Sequence, residues 1–197
     1  EFMAALLSAD AQRTDRVMIE IEECRSMDIQ VLPPDINESL RHFTALPDHE
    51  LPDGKRGNAI RFGLTAIKGI GDSSVQQIIA VRDGEGLPAG AGAQAGKFRD
   101  IEDFAQRVPS KILNKKLLES IGKAGALDSL IERKLIVEQY ERVVEFGKST
   151  SDVGSSQTDL FAHMDGGDEM AKIDFPATEP ATHLEKLQWE KETMGLY

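Results

Sequence analysis

Apolar residues recur at steps of three and four over residues 2–7, and again at Val17, Ile21, Cys24 and Met27. That is the spacing of helices with one inward face, and Thr14 or Asp15 can cap the second of them. The run 29–37 (IQVLPPDIN) breaks the period, because its paired prolines forbid helix and favour an extended, well-fixed crossing. Residues 43–46 and 59–64 predict a short β-hairpin. In the second segment Ile60, Phe62 and Leu64 alternate with Ala59, Arg61 and Gly63. A helix follows residue 71, capped by Asp72 or Ser73, with Val75, Ile78, Ile79 and Arg82 on one face. Residues 84–96 (GEGLPAGAGAQAG) are Gly/Ala-rich and predict a mobile loop. Asp100 and Asp103 then open a short helix ending near Val108-Pro109, and Asn114 caps another with Leu117, Leu118 and Ile121 inward. A stronger helix from Ile131 to Lys148 buries Leu135, Ile136, Tyr140, Val143, Val144 and Gly147. Polar and acidic stretches at 149–156 and 163–181 read as linker, and residues 183–197 return to a helical pattern.

Charge changes this picture more than composition does. The chain has 197 residues, 40% hydrophobic and 29% charged, enough for one large domain or two small ones. No apolar run approaches a membrane span, so no membrane partner is expected. Cys24 is the single cysteine, which rules out an internal disulfide and suits a reducing, cytoplasmic setting. The net charge of −11 argues against nucleic acid at first sight, but residues 55–148 carry 16 Lys/Arg against 12 Asp/Glu. That part is mildly basic, and the acid sits in the flanks.

Inside the basic part lies Ile67-Lys68-Gly69-Ile70-Gly71-Asp72-Ser73, a G-h-G turn (h apolar) followed by a helix. Glycine lets a backbone turn tightly and approach a partner. The first N–H groups of the following helix and its positive end favour an anion, most often phosphate, and Lys68 adds a full charge. This is the sequence form of a helix-hairpin-helix, a module that grips nucleic-acid backbone without reading bases. Taken alone, the motif favours a plainer alternative, a glycine C-cap between two helices with nothing bound. A looser echo follows at Lys123-Ala124-Gly125, flanked by Lys111, Lys115 and Lys116; these lysines either face phosphates or form ordinary solvated surface.

No nucleophile elbow, Walker loop or metal-ligand spacing is present, and His42, His49, His163 and His183 are scattered. The acidic pairs Glu22-Glu23 and Glu102-Asp103 are expected on solvated surface, so no catalytic residue is expected here. Gln157-Thr158-Asp159-Leu160-Phe161 (QTDLF) places two adjacent apolar side chains in a polar tract, with Gln157 able to fix the register of a docked peptide. The alternative is a chance Leu-Phe pair in a linker.

Six blocks in order (EFMAALLS, ECRSMDIQVLPPDINES, IRFGLTAIKGIGDSSVQQII, NKKLLESIGKAGALDSL, QTDLF and WEKETMGLY) together resemble the C-family replicative DNA polymerases of bacteria, the polymerase III alpha subunits. The resemblance covers nearly the whole chain. It implies a mainly α fold, a tandem helix-hairpin-helix module with a short β-hairpin and flexible linkers. Residues 1–45 would end the fingers region, and 46–148 would hold duplex DNA, with the mobile loop at 84–96. Residues 149–182 would be a flexible linker carrying the clamp-binding motif, and 183–197 would lead toward an oligonucleotide-binding domain. The implied partners are the double-stranded DNA backbone, the sliding clamp (beta subunit) and the rest of the polymerase holoenzyme. The implied DNA contacts are Lys68, Gly69, Ile70, Gly71, Asp72, Ser73, Lys115, Lys116, Lys123 and Gly125. The implied clamp contacts are Gln157, Thr158, Asp159, Leu160 and Phe161. No cofactor is implied within this segment; the parent polymerase would use Mg2+ outside it. Both ends read as interior to a longer chain. Asp28 replaces a common glycine after its helix, the 84–96 insert is long, and the second turn has a single glycine. A protein-interaction module whose hairpins only pack, and a repair-type helix-hairpin-helix protein, are the competing readings.

Overall fold

A computed structural model describes residues 1–84, 96–153 and 172–195. The chain is mainly helical around a small sheet. Helices α1 (Phe2–Ala9) and α2 (Thr14–Ser26) pack on each other and against strands β1 (Ile29–Leu32) and β2 (Thr44–Glu50). Strand β3 (Arg56–Arg61) lies between β1 and β2, antiparallel to β2 and parallel to β1. The β2–β3 hairpin forms where expected but is shifted: β3 runs from Arg56 to Arg61 rather than over 59–64, and Leu64 falls in a 3-10 turn. Ala59 is buried beside Ile60 instead of alternating with it, because β1 and the helices cover the sheet there. β1 is the addition. Its four residues are too few for their brief Ile29-Gln30-Val31 alternation to mark a strand, and they become one because β3 offers a free edge to an already extended segment. Asp28, at the turn into β1, takes a left-handed φ of 59°, the C-cap role open to aspartate.

In α2 the inward face holds Val17, Ile21 and Cys24 as expected, but Met27 is 52% exposed. Met27 is the C-cap, with φ −94° and ψ 11°, so the helical period no longer places it inward. Glu20 takes a buried position on that helix instead, with one carboxylate oxygen lacking a partner.

The double-proline crossing connects the two halves of the fold. The Ile36 N–H donates to the Ala126 carbonyl at 2.8 Å, and buried Arg82 donates to the carbonyls of Ile36 and Ser39 at 3.1 and 2.7 Å. A 3-10 turn (Leu64–Ala66) leads into α3 (Asp72–Asp83), whose buried face holds Val75, Ile78 and Arg82. Helices α4 (Ile101–Arg107), α5 (Lys115–Lys123) and α6 (Arg133–Val153) follow, and α6 packs on both α4 and α5. Asp100 accepts from the Asp103 N–H and Asn114 from the Leu117 N–H, as the capping patterns predict. Asp103 departs from its expected place on solvated surface. It is 3% exposed, accepting from the Arg99 N–H and the Arg107 guanidinium at 3.0 and 3.1 Å. Its N–H is turned to the Asp100 cap, which points the carboxylate back over the helix start.

The stretch read as linker is partly built into the body. Residues 149–153 extend α6, and Ile173 and Phe175 pack against the core while the Ile173 N–H donates to Glu102. The acidic, proline-containing composition hides two aromatic or branched anchors that are enough to fix the segment. Helix α7 (His183–Thr193) starts with a capping box between Thr182 and Glu185 and lies on α5.

Candidate nucleic-acid interface

The first hairpin is the turn 67–71 between the 3-10 turn and α3. Gly69 has φ +89°, and a Cβ there would lie 2.7 Å from the Ser120 hydroxyl of α5. Its glycine is therefore demanded twice, by the left-handed backbone and by close packing on the second hairpin's helix. Gly71 is different. Its φ of −79° suits any residue, and a Cβ there would meet nothing nearer than the Ser74 hydroxyl at 3.9 Å. Gly71 rather than Asp72 or Ser73 is the N-cap, and α3 has no side-chain cap hydrogen bond. A helix start without its own acceptor leaves N–H groups directed outward, where an anion can take them.

Asp72 begins α3 and is bound by Arg41, whose Nε and Nη2 lie 2.5 and 2.8 Å from its two carboxylate oxygens. The pairing offsets the negative charge beside the helix start. Arg41 is half-exposed, and nothing in its sequence neighbourhood marks it, because the contact spans 31 residues. Lys68 is exposed, and its backbone N–H donates to the Thr193 carbonyl at 2.8 Å, tying the turn to the end of α7.

The second hairpin joins α5 to α6 through residues 124–132. Gly125 has φ +78°, and a Cβ there would meet the Arg133 guanidinium at 2.2 Å. Arg133 is itself buried between Asp128, at 2.8 and 2.9 Å, and Glu190 of α7, at 2.6 Å. Burial works against its charge, but the two carboxylates outweigh this and raise its pKa. Lys123 faces the same helix, 3.0 and 3.1 Å from the Glu192 carboxylate oxygens and 3.4 Å from Glu119. Burial alone would depress its pKa; the carboxylates carry it above the usual lysine value.

Among the residues expected to contact DNA, the fold brings Lys68, Gly69, Lys116 and Lys123 to one cleft of about 200 Å3, with Ser120 on its wall. Lys116 is exposed and its Cε lies 3.5 Å from the Gly69 Cβ position. Lys115 points elsewhere, with its ammonium 5.1 Å from the Tyr140 ring centroid. Gly125 faces Arg133 rather than the cleft. Gln157, Thr158, Asp159, Leu160 and Phe161 lie outside the described residues, as does most of the 84–96 loop. Sequence reasoning missed Arg41, Ser120 and the acidic cover of α7. The capping box at Thr182 and Glu185 marks where α7 begins, and no local signal says where it docks.

A family profile described as "Helix-hairpin-helix motif" matches residues 28–135, which contain the double-proline crossing and both hairpins. The chain belongs to the helix-hairpin-helix family. It is also related over its whole length to part of DNA polymerase III subunit alpha. The Deinococcus radiodurans subunit is 36% identical over 200 residues, covering all of this chain and 13% of that protein. The Campylobacter jejuni subunit is 34% identical over 203 residues (15% of that protein), and the Thermus aquaticus subunit 32% over 198 (14%). The chain thus spans about one seventh of the length of these relatives. Among the described residues no helix is long and apolar enough to cross a membrane.

Proposed function

We propose that this segment holds the backbone of duplex DNA for a replicative polymerase and, through residues 157–161, tethers it to a sliding clamp. The observation that carries the first half is the uncapped start of α3. Gly71 is a glycine that its own backbone does not require, and it leaves the helix without a side-chain acceptor. Lys68 and Lys116 stand beside that turn with no ion pair among the described residues. Backbone donors, a positive helix end and two ammonium groups suit a phosphodiester, the part of a duplex that carries no sequence information. The first hairpin is the principal contact, through Lys68, Gly69, Ile70, Gly71 and the first turn at Asp72 and Ser73. Lys116 joins it from the second hairpin.

The clamp reading rests on the QTDLF residue pattern alone, two adjacent apolar anchors with a register-fixing glutamine. The relatives support a wider assembly, in which this stretch works inside a longer polymerase chain with any metal chemistry elsewhere. A cytoplasmic setting goes with that assembly and with the lone, buried Cys24.

A salt titration of duplex binding, with and without sliding clamp, tests both halves. The expected result is weak, sequence-independent binding that falls steeply with salt, strengthened by clamp. Binding that ignores salt overturns the DNA half. A clamp effect that survives replacement of Leu160 and Phe161 by Ala overturns the tethering half.

A further inference from the structure

The cleft shared by the two hairpins contains a carboxylate that an anion site would not be expected to keep. Glu192 of α7 contacts Lys123 through both oxygens, at 3.0 and 3.1 Å. Its side chain remains 61% exposed, while that of Lys123 is 15% exposed. The pair is therefore asymmetric: the lysine is fixed by its surroundings and the carboxylate is free to swing into water.

We propose that Glu192 is an internal stand-in for phosphate, occupying Lys123 until a DNA backbone phosphate displaces it. This rests on the duplex-holding reading and adds the way in which its third cation is made available. A carboxylate and a phosphodiester each present two oxygens and one negative charge, so one can replace the other on an ammonium without leaving it bare. Without DNA bound, Glu192 offsets the repulsion among Lys68, Lys116 and Lys123. Once a phosphate has entered between Lys68 and Lys116, the same carboxylate is repelled by it.

The release does not require α7 to undock. The Thr193 carbonyl still accepts from the Lys68 N–H, Glu190 still binds Arg133 at 2.6 Å, and Met194 is buried in the core. Glu119, 3.4 Å away on the same helix as Lys123, keeps the ammonium directed at the cleft after Glu192 leaves. Glu192 is the solvent-exposed partner, so leaving Lys123 returns its carboxylate to water rather than stranding it in the fold, and the exchange is energetically accessible.

The test is a double-mutant cycle on duplex binding by the 197-residue chain, read by fluorescence anisotropy over a range of salt. Glu192→Gln keeps the shape and removes the charge. It should tighten binding by about fivefold at low salt, on the order of one added phosphate contact. Lys123→Met, which keeps the packed stem, should abolish that gain, so that the double variant binds like Lys123→Met alone. Thermal unfolding confirms that each variant is folded, and Lys123→Gln replaces Lys123→Met if the latter is not. A Glu192→Gln chain that binds no tighter overturns the proposal. So does a gain that persists with Lys123 replaced, since this would be a general charge effect. If Lys68→Ala weakens binding while Glu192→Gln changes nothing, the duplex-holding reading stands and the stand-in does not. If the unsubstituted chain shows no salt-dependent duplex binding, both fall.

Discussion

The two hairpins are near repeats in sequence and differ in what surrounds their glycines. Gly125 is backed by the Arg133 guanidinium, and Lys123 beside it is engaged by two carboxylates. Gly71 has room for a Cβ, with only the Ser74 hydroxyl near at 3.9 Å, and Lys68 has no ion pair among the described residues. The second turn is a bracket joining α5, α6 and α7. The first is fixed from behind by Gly69 on Ser120 and by Thr193 on Lys68, and its front is left open. A glycine in a turn therefore has two distinct uses here, internal close packing and outward access, and the motif spelling does not separate them.

The sharpest way to break this contrast is Gly125→Ala. It would strain a left-handed residue and push Arg133 off Asp128 and Glu190, at a cost of about 3 kcal/mol. Chemical denaturation should show it, and a loss under about 1 kcal/mol would mean that Arg133 relaxes freely.

Lys68→Ala should leave stability nearly unchanged, weaken duplex binding across all sequences, and lower the salt slope by about one. An unchanged slope would remove Lys68 from the phosphate contacts.

Glu20 gives a pH test of the helical layer outside both hairpins. Its burial first, then its hydrogen bond to Asp10 and that group's charge, hold its pKa above the usual carboxylate value. The native state thus favours the protonated form, and the ionised form lowers stability at neutral pH. Glu20→Gln should therefore stabilise by about 1 kcal/mol at pH 7. That advantage should fade as pH falls through the raised pKa and vanish below about pH 4, the unfolded range. Melting curves across pH would check it, and a constant advantage would contradict the assignment.

The smallest effect sharpens the comparison most. Gly71→Asp should cap α3 and stabilise it by about 0.5 kcal/mol, while its charge, placed where phosphate would lie, weakens duplex binding. Stability and binding moving together would sink the outward-facing role of Gly71.

Much of the local structure was legible in the sequence. Asp100 and Asn114 announced their helices because a cap is decided within three residues, while the period-two reading at 59–64 found only the second half of the strand that runs from Arg56 to Arg61. The buried face of α3 followed from helical spacing. β1 was not legible, since its pairing with β3 joins residues Ile29 and Asn58. The packing of Ile173 and Phe175 was masked by acidic neighbours, and Met27 was misplaced because its helix ends there. At the candidate site the sequence pointed to Lys68, Gly69 and Gly71 but could not distinguish Gly71 from Gly125.

The caps expected at Thr14 or Asp15 and at Asp72 or Ser73 fall instead at Arg13 and Gly71, neither with a side-chain cap hydrogen bond. By itself the sequence determined the helices, the caps of α4 and α5, the hairpin, the basic middle and acidic flanks, and the family. All of these rest on interactions between near neighbours or on order along the chain. Only the tertiary structure decided which cations remain available. Arg41 meets Asp72 and Lys123 meets Glu192 across 31 and 69 residues of chain, and charges at such separations interact only once packing has brought them together.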